Sequence, residues 1–211
     1  MDTEIGVLVA IGLLGYLLGA FPTAFLVVKH FAHKSILEWG TGNVGTLNTL
    51  RATSSRLLML LTFLGDAFKG VLALALGYAI ARAVGDDVSV GAATGGIMAV
   101  VGHNYSVFLL FKGGKGIATS LPVLTYLSPF LIPLWIAVFF LTVLSTRLLV
   151  LGQILGTVAM PIGAYLLFPD NAIPVSILAA LVFIRHAPRI RNILNHTEPK
   201  LYYKIDKPVG P

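Results

Sequence analysis

The chain has 211 residues, of which 56% are hydrophobic and 11% charged, with a formal net charge of +6; its mean hydropathy is +0.87. A soluble domain carries about 25% charged residues because its surface must face water, so a water-soluble globule is excluded and the sequence reads as an integral membrane protein. No cysteine is present, which excludes disulfides, thiolate metal sites and a cysteine nucleophile. The histidines, His30, His33, His103, His186 and His196, show no metal-ligand pattern, and neither metal nor cofactor is expected.

In chain order, seven apolar segments read as spanning helices: roughly 5–28, 57–81, 88–105, 117–128, 130–146, 149–168 and 172–186. The first is too long for a signal-peptide core. Asp2 and Glu4 stand where a signal would be basic, so it reads as a spanning helix and not a cleaved signal. Between the fourth and fifth, "TYLSPFLIP" carries Pro129 and Pro133, which demand a turn or a kink. The fourth segment is also short for a hydrocarbon core of about 30 Å, so six spans with a re-entrant piece is the alternative count.

Charge decides between the counts. Lys29, Lys34, Arg51 and Arg56 follow the first segment, Lys112 and Lys115 the third, and Arg147 the fifth. Arg185, Arg189, Arg191, Lys200, Lys204 and Lys207 follow the seventh. With seven spans all of these fall on one side, opposite Asp2, Glu4, Asp86, Asp87 and Asp170, with Arg82 the one basic residue there. The positive-inside rule then places the amino terminus outside and the carboxyl terminus in the cytoplasm. The expected fold is an all-α integral membrane protein of about seven transmembrane helices, with one polytopic domain over 1–198 and a short polar cytoplasmic tail over 199–211. No internal repeat is visible. The positive charge follows from topology and anionic headgroups, and nucleic acid is not expected as a partner.

Topology does not account for several polar stretches. The loop "EWGTGNVGTLNTLR" (38–51) sets Gly40, Gly42 and Gly45 among Thr41, Asn43, Thr46, Asn48 and Thr49, ending at Arg51. Glycine-rich amides can form an anion-binding nest, although a plain connecting loop would look similar. The stretch "FKGGKGIAT" (111–119) holds Lys112, Gly113, Gly114, Lys115, Gly116 and Thr119. It fails as a Walker A loop, because Lys115 is followed by Gly116 and Ile117 and no strand precedes it. What survives is a flexible cationic turn before a helix, suited to a phosphate, or two lysines that only obey topology.

Asp66 and Lys69 lie inside the second apolar segment, three apart, where they share a helix face and can pair. Charges at membrane depth mark a functional site or a structural ion pair. His103 and Asn104 end the third segment, and "RHAPRIRN" (185–192) ends the seventh. The four clusters, rich in amides and cations and poor in acids, describe a site for an anion presented from the cytosol beside an apolar interior. No serine–histidine–acid arrangement is present.

These residues resemble the bacterial acyl-phosphate:glycerol-3-phosphate acyltransferase (PlsY) family. The family's first motif is close to Gly-Ser-Gly-Asn-Val-Gly-Ala-Thr-Asn followed by an arginine, and stands here as "GTGNVGTLNTLR". The second, Gly-His-x-x-Pro-Val-Phe-x-x-Phe-Lys-Gly-Gly-Lys-Gly-Val-Ala-Thr, stands as "GHNYSVFLLFKGGKGIAT". An Asp-x-x-Lys-Gly between them matches Asp66, Lys69 and Gly70, and "RHAPRIRNILNHTE" matches a third motif that begins Arg-His and ends in glutamate. The resemblance implies acyl transfer from acyl-phosphate to the 1-hydroxyl of glycerol 3-phosphate, giving lysophosphatidic acid and phosphate at the cytoplasmic face of a bacterial plasma membrane. It implies no cofactor and no metal, with an acyl-phosphate-producing enzyme as a partner in supply.

On matching positions, Thr41, Gly42, Asn43 and Gly45 would hold the acyl-phosphate group. Arg51, Lys112 and Lys115 would hold phosphate charge, and His103, His186 and Asn48 would order the pocket. Thr41, Asn48, Arg51, His103, Lys115 and His186 are the candidate catalytic residues. Asp66, Lys69, Gly113, Gly114, Gly116, Thr119, Arg189 and Glu198 join the substrate-binding set. Departures from the family pattern are Thr41 for serine, Ser106 for proline, Thr46-Leu47 for Ala-Thr, and Val150 and Gln153 where serines are expected. In the third motif Arg189 stands for asparagine, Asn192 for arginine and His196 for glycine. A paralogue acylating another acceptor and a small anion transporter are the competing readings. Against transport, the charges cluster on one side and no matched pair of broken helices is seen.

Overall fold

The computed structural model describes residues 5–200. Asp2, Glu4 and the tail beyond Lys200 lie outside the described residues. Among the described residues there are ten α-helices: α1 (Ile5–Ala20), α2 (Thr23–Ala32), α3 (Thr46–Thr53), α4 (Arg56–Val84), α5 (Val88–Asn104), α6 (Ile117–Leu127), α7 (Leu131–Thr146), α8 (Leu149–Leu167), α9 (Ala172–His186) and α10 (Ile190–Leu194). Among the described residues four helical stretches are long and apolar enough to cross a membrane, namely Ile5–Ala32, Arg56–Val84, Leu149–Leu167 and Pro169–Leu194. The protein is an all-helical integral membrane protein.

Two expectations need correction. The first segment is not one continuous helix: α1 ends at Ala20 and α2 begins at Thr23. Pro22 has no N–H to continue the ladder and disfavours helical backbone at the residue before it, so the break falls at Phe21–Pro22. The first loop is not wholly irregular either, since Thr46–Thr53 forms α3, which carries Asn48 and Arg51. Between α6 and α7 the chain turns, with Leu131 N–H donating to Ser128 O (3.1 Å) and Ile132 N–H to Pro129 O (3.1 Å). Pro133 then sits in the first turn of α7, where a missing N–H costs nothing.

The chain divides into two compact units, with the boundary after Val123. In the first, α5 packs against both α1 and α4. Lipid offers no hydrophobic drive for helices to associate, so close backbone approach through small residues supplies the packing. Gly91 and Gly95, one turn apart, face Gly77 and Ala73 of α4, while Gly95, Ala99 and Gly102 face Gly15, Gly19 and Tyr16 of α1. A Cβ at Gly15 would come within 2.5 Å of the Gly95 carbonyl oxygen. In the second unit α8 packs against α7 and α9. Gly152 and Gly156 of α8 receive Phe139 and Trp135 of α7, whose rings stack at 4.9 Å.

The same geometry gives a paired test. Gly95→Leu should lower the thermal unfolding midpoint in detergent by the equivalent of about 1–3 kcal/mol or more, because the added side chain meets the α4 backbone at Ala73 and Gly77. Gly6→Leu, where a Cβ meets nothing within 4 Å, should leave the midpoint unchanged.

Candidate functional site

The first glycine loop is organised by Asn48. This side chain is fully buried on α3. Its Oδ1 accepts from Thr41 N–H at 2.9 Å and Thr41 Oγ1–H at 3.4 Å, and its Nδ2 donates to Ile36 O at 3.1 Å and Trp39 O at 2.9 Å. The amide is thereby saturated, so Asn48 shapes residues 36–41 as a positioning residue. Gly40 (φ 63°) and Gly42 (φ 65°) occupy the left-handed region that glycine adopts without strain. A Cβ at Gly40 would collide with Asn48 Oδ1. Lys34 closes the far end of α3, donating to Ala52 O at 3.0 Å with its ammonium 3.9 Å from the Trp39 ring centroid. Thr49 and Thr62 hydroxyls, 3.1 Å apart, tie α3 to α4. Thr41 is exposed, and Gly42, Asn43 and Arg51 are half-buried at the accessible edge of this loop.

The second glycine loop leaves α5 through Ser106 and a short 3-10 turn at Val107–Leu109. Lys112 is exposed, Gly113 and Gly114 are buried, and Lys115 is half-buried. Gly114 N–H donates to His103 O at 2.9 Å. A Cβ on Gly113 would strike that same carbonyl, and one on Gly114 would strike His103 Nε2 and lie 2.5 Å from Val44 O. Only glycine at both positions lets the second loop close on the histidine and on Val44 of the first loop. Gly116 (φ 86°) turns the chain into α6. Thr119 is fully buried where α6 meets Gly70 of α4, so it packs helix to helix.

Beneath both loops lies a buried ionic cluster. Asp66 Oδ1 is 2.9 Å from Lys69 Nζ and 3.6 Å from His103 Nδ1, and all three side chains are almost wholly buried. Lys69 Nζ donates to Phe21 O at 2.9 Å, and Ser106 Oγ–H donates to Ala20 O at 2.5 Å. Both acceptors are carbonyls freed by the helix break. Asp66, Lys69, His103, Ser106, Val44 and Gly114 share the wall of one cavity of about 10 Å³, roughly the space of a single water centre. The expected Asp66–Lys69 pair is present, and it supports the helix break and His103. Sequence reasoning missed Ser106, Lys34 and the break itself, and Pro22 was the available signal for the last of these.

In the second unit, His186 is buried on α9, with Nδ1 2.8 Å from Val182 O and Nε2 3.2 Å from Gln153 Oε1. A carbonyl only accepts, so Nδ1 carries a proton. Arg189 and Glu198 form a two-point ion pair, Nε to Oε2 at 2.9 Å and NH2 to Oε1 at 2.8 Å. They neutralise each other, Glu198 being buried and Arg189 a quarter exposed. His196 has φ 56°, which explains why glycine suits that position in the family pattern.

A family profile described as glycerol-3-phosphate acyltransferase matches residues 9–196. A glycerol-3-phosphate acyltransferase of Clostridioides difficile (strain 630) is 36% identical over 202 residues, covering 95% of this chain and 98% of the relative. One from Trichlorobacter lovleyi is 37% identical over 187 residues, covering 88% and 93%. Among solved structures, the glycerol 3-phosphate form of PlsY (YgiH), an integral membrane glycerol 3-phosphate acyltransferase, matches with TM-score 0.77 and 28% identity over 92% of this chain and 95% of that one. Its lysophosphatidic acid form matches with TM-score 0.75 and 29% identity over 92% and 94%. The class is thus that of integral membrane acyltransferases. The chain belongs to the glycerol-3-phosphate acyltransferase (PlsY) family.

The buried cluster sets a stability test. Removing one member of a buried pair leaves an uncompensated charge at a cost of about 3–5 kcal/mol, so Asp66→Asn and Lys69→Met should each lower the unfolding midpoint strongly. The double variant should be more stable than either single variant. Additive losses would contradict the pairing.

Proposed function

We propose that the chain transfers an acyl group from acyl-phosphate to the 1-hydroxyl of glycerol 3-phosphate, releasing lysophosphatidic acid and inorganic phosphate. The observation that carries this reading is the contact of the two glycine loops at Val44, Gly114 and His103. It brings the two loops that carry Arg51, Lys112 and Lys115 together in one unit of the fold. Thr41, Gly42, Asn43 and Gly45 suit the phosphate of the donor, and Arg51, Lys112 and Lys115 its charge or that of the acceptor. His103 and Asn48 order the surroundings within that unit, and His186 orders its own neighbourhood in the second unit. The seven-span topology, with this face in the cytoplasm of a bacterial plasma membrane, belongs to the same proposal. So does supply of the donor by an acyl-phosphate-producing enzyme.

In the step itself, the acceptor hydroxyl oxygen bonds to the acyl carbon and the bond from that carbon to the phosphate oxygen breaks. The hydroxyl proton passes to the departing phosphate, so no side chain need serve as general base. Catalysis rests on positioning and on stabilising developing charge with fixed donors. The Arg189–Glu198 ion pair, at a position where the family pattern carries asparagine, favours one second reading: a paralogue acylating a different acceptor.

Purified protein given palmitoyl phosphate and a panel of acceptors separates these readings. Glycerol 3-phosphate should stimulate phosphate release; stimulation by another acceptor alone supports the paralogue, and no stimulation by any acceptor ends the enzymatic reading. Lys115→Ala should lower the rate by roughly 10²-fold, the scale of one lost transition-state donor. His103→Gln should retain most of the rate, and complete loss with substrate binding intact would contradict proton transfer to the phosphate.

A further inference from the structure

The loop between α5 and the cationic turn presents its apolar side chains outward. Leu110 is 81% exposed, Phe111 61% and Phe108 58%. Leu110 (φ 51°) and Phe111 (φ 62°) are consecutive bulky residues in the left-handed region, a conformation that large side chains rarely adopt. Phe111 N–H donates to Ser106 O at 2.8 Å and Lys112 N–H to Leu109 O at 3.0 Å, so the hairpin-like tip is well bonded. Leu109 alone turns inward, into the cluster of Ala24, Val28, Ile36, Val44 and Ala52. The fold therefore uses a strained backbone to aim three large apolar groups away from the protein.

We infer that Phe108, Leu110 and Phe111 form a finger that inserts into the acyl region of an anionic lipid leaflet, with Lys112 at the level of the lipid phosphates. Two observations select lipid as the occupant. The finger is anchored by Leu109 on the inward residues Ala24 and Val28 of α2, and α2 belongs to a stretch long and apolar enough to cross a membrane, with Leu26 and Phe31 exposed. Its polar border is cationic: Lys112 follows it directly, and Lys29 and His30 close the last turn of α2. Insertion fixes the depth of the Gly113–Gly114 turn at the headgroup boundary. On the proposed function, that is where the phosphate of an amphiphilic acyl donor lies. The inference itself needs only membrane placement, so its failure would leave the reaction untouched.

The chain has no cysteine, which makes single-site labelling direct. The full-length Phe111→Cys, Leu110→Cys and Lys112→Cys variants would each carry a nitroxide label in vesicles of phosphatidylcholine and phosphatidylglycerol. Collisions with oxygen report lipid exposure, and collisions with a water-soluble nickel chelate report exposure to water. Labels at 110 and 111 should lose nickel collisions and keep oxygen collisions, while the label at 112 keeps nickel collisions. Free nickel collisions at 110 and 111 would place the finger in water. Loss of both collision types there would show that protein, a second copy or another chain, covers it. Either result overturns the inference.

Discussion

A backbone carbonyl without a partner is costly in a membrane protein, because lipid offers no hydrogen bonds in place of water. This chain breaks its first helix at Phe21–Pro22 and must satisfy the carbonyls released there. Lys69 joins Thr23 N–H in donating to Phe21 O, and Ser106 donates to Ala20 O. Burying the Lys69 ammonium in turn requires Asp66, and the same carboxylate lies beside His103. His103 then offers its own carbonyl to Gly114. The helix break, the ionic cluster and the second glycine loop thus form one connected polar path within the first unit.

That path explains why glycines and small residues recur where they do. At Gly113 and Gly114 the requirement is close approach to His103 and Val44, and not backbone flexibility. At Gly40 and Gly42 it is positive φ around the buried amide of Asn48. Asn48, Lys34 and Thr49 meet the internal needs of the first loop, together with the backbone bonds from Gly42 N–H to Trp39 O and from Gly45 N–H to Asn43 O. Ser106, at φ −67°, holds a backbone conformation that proline also adopts. The serine keeps that geometry and adds a hydroxyl for the broken helix.

The helical segments were legible in the sequence because long apolar runs bounded by cations leave few alternatives. The second to seventh expected segments agree with α4 to α9 to within a few residues at each end. The Asp66–Lys69 pair was legible from its spacing. Helix α3 was not, because eight residues rich in threonine carry little helical signal, and the helix is held by Asn48 and Lys34 contacts across the loop. The break at Pro22 was hidden by uniform hydropathy on both sides. The Gln153–His186 contact and the Arg189–Glu198 pair join residues from separate turns or helices, and single-sequence periodicity does not report such contacts.

Acyl transfer by this family chemistry would leave a signature in the fate of one oxygen atom. The most direct measurement supplies palmitoyl phosphate and glycerol 3-phosphate with a heavy-oxygen label in the 1-hydroxyl, then analyses both products by mass spectrometry. The account predicts that the label stays in the ester of lysophosphatidic acid and that the released phosphate carries none. Label in the phosphate, or an acceptor recovered without an acyl group, would contradict it.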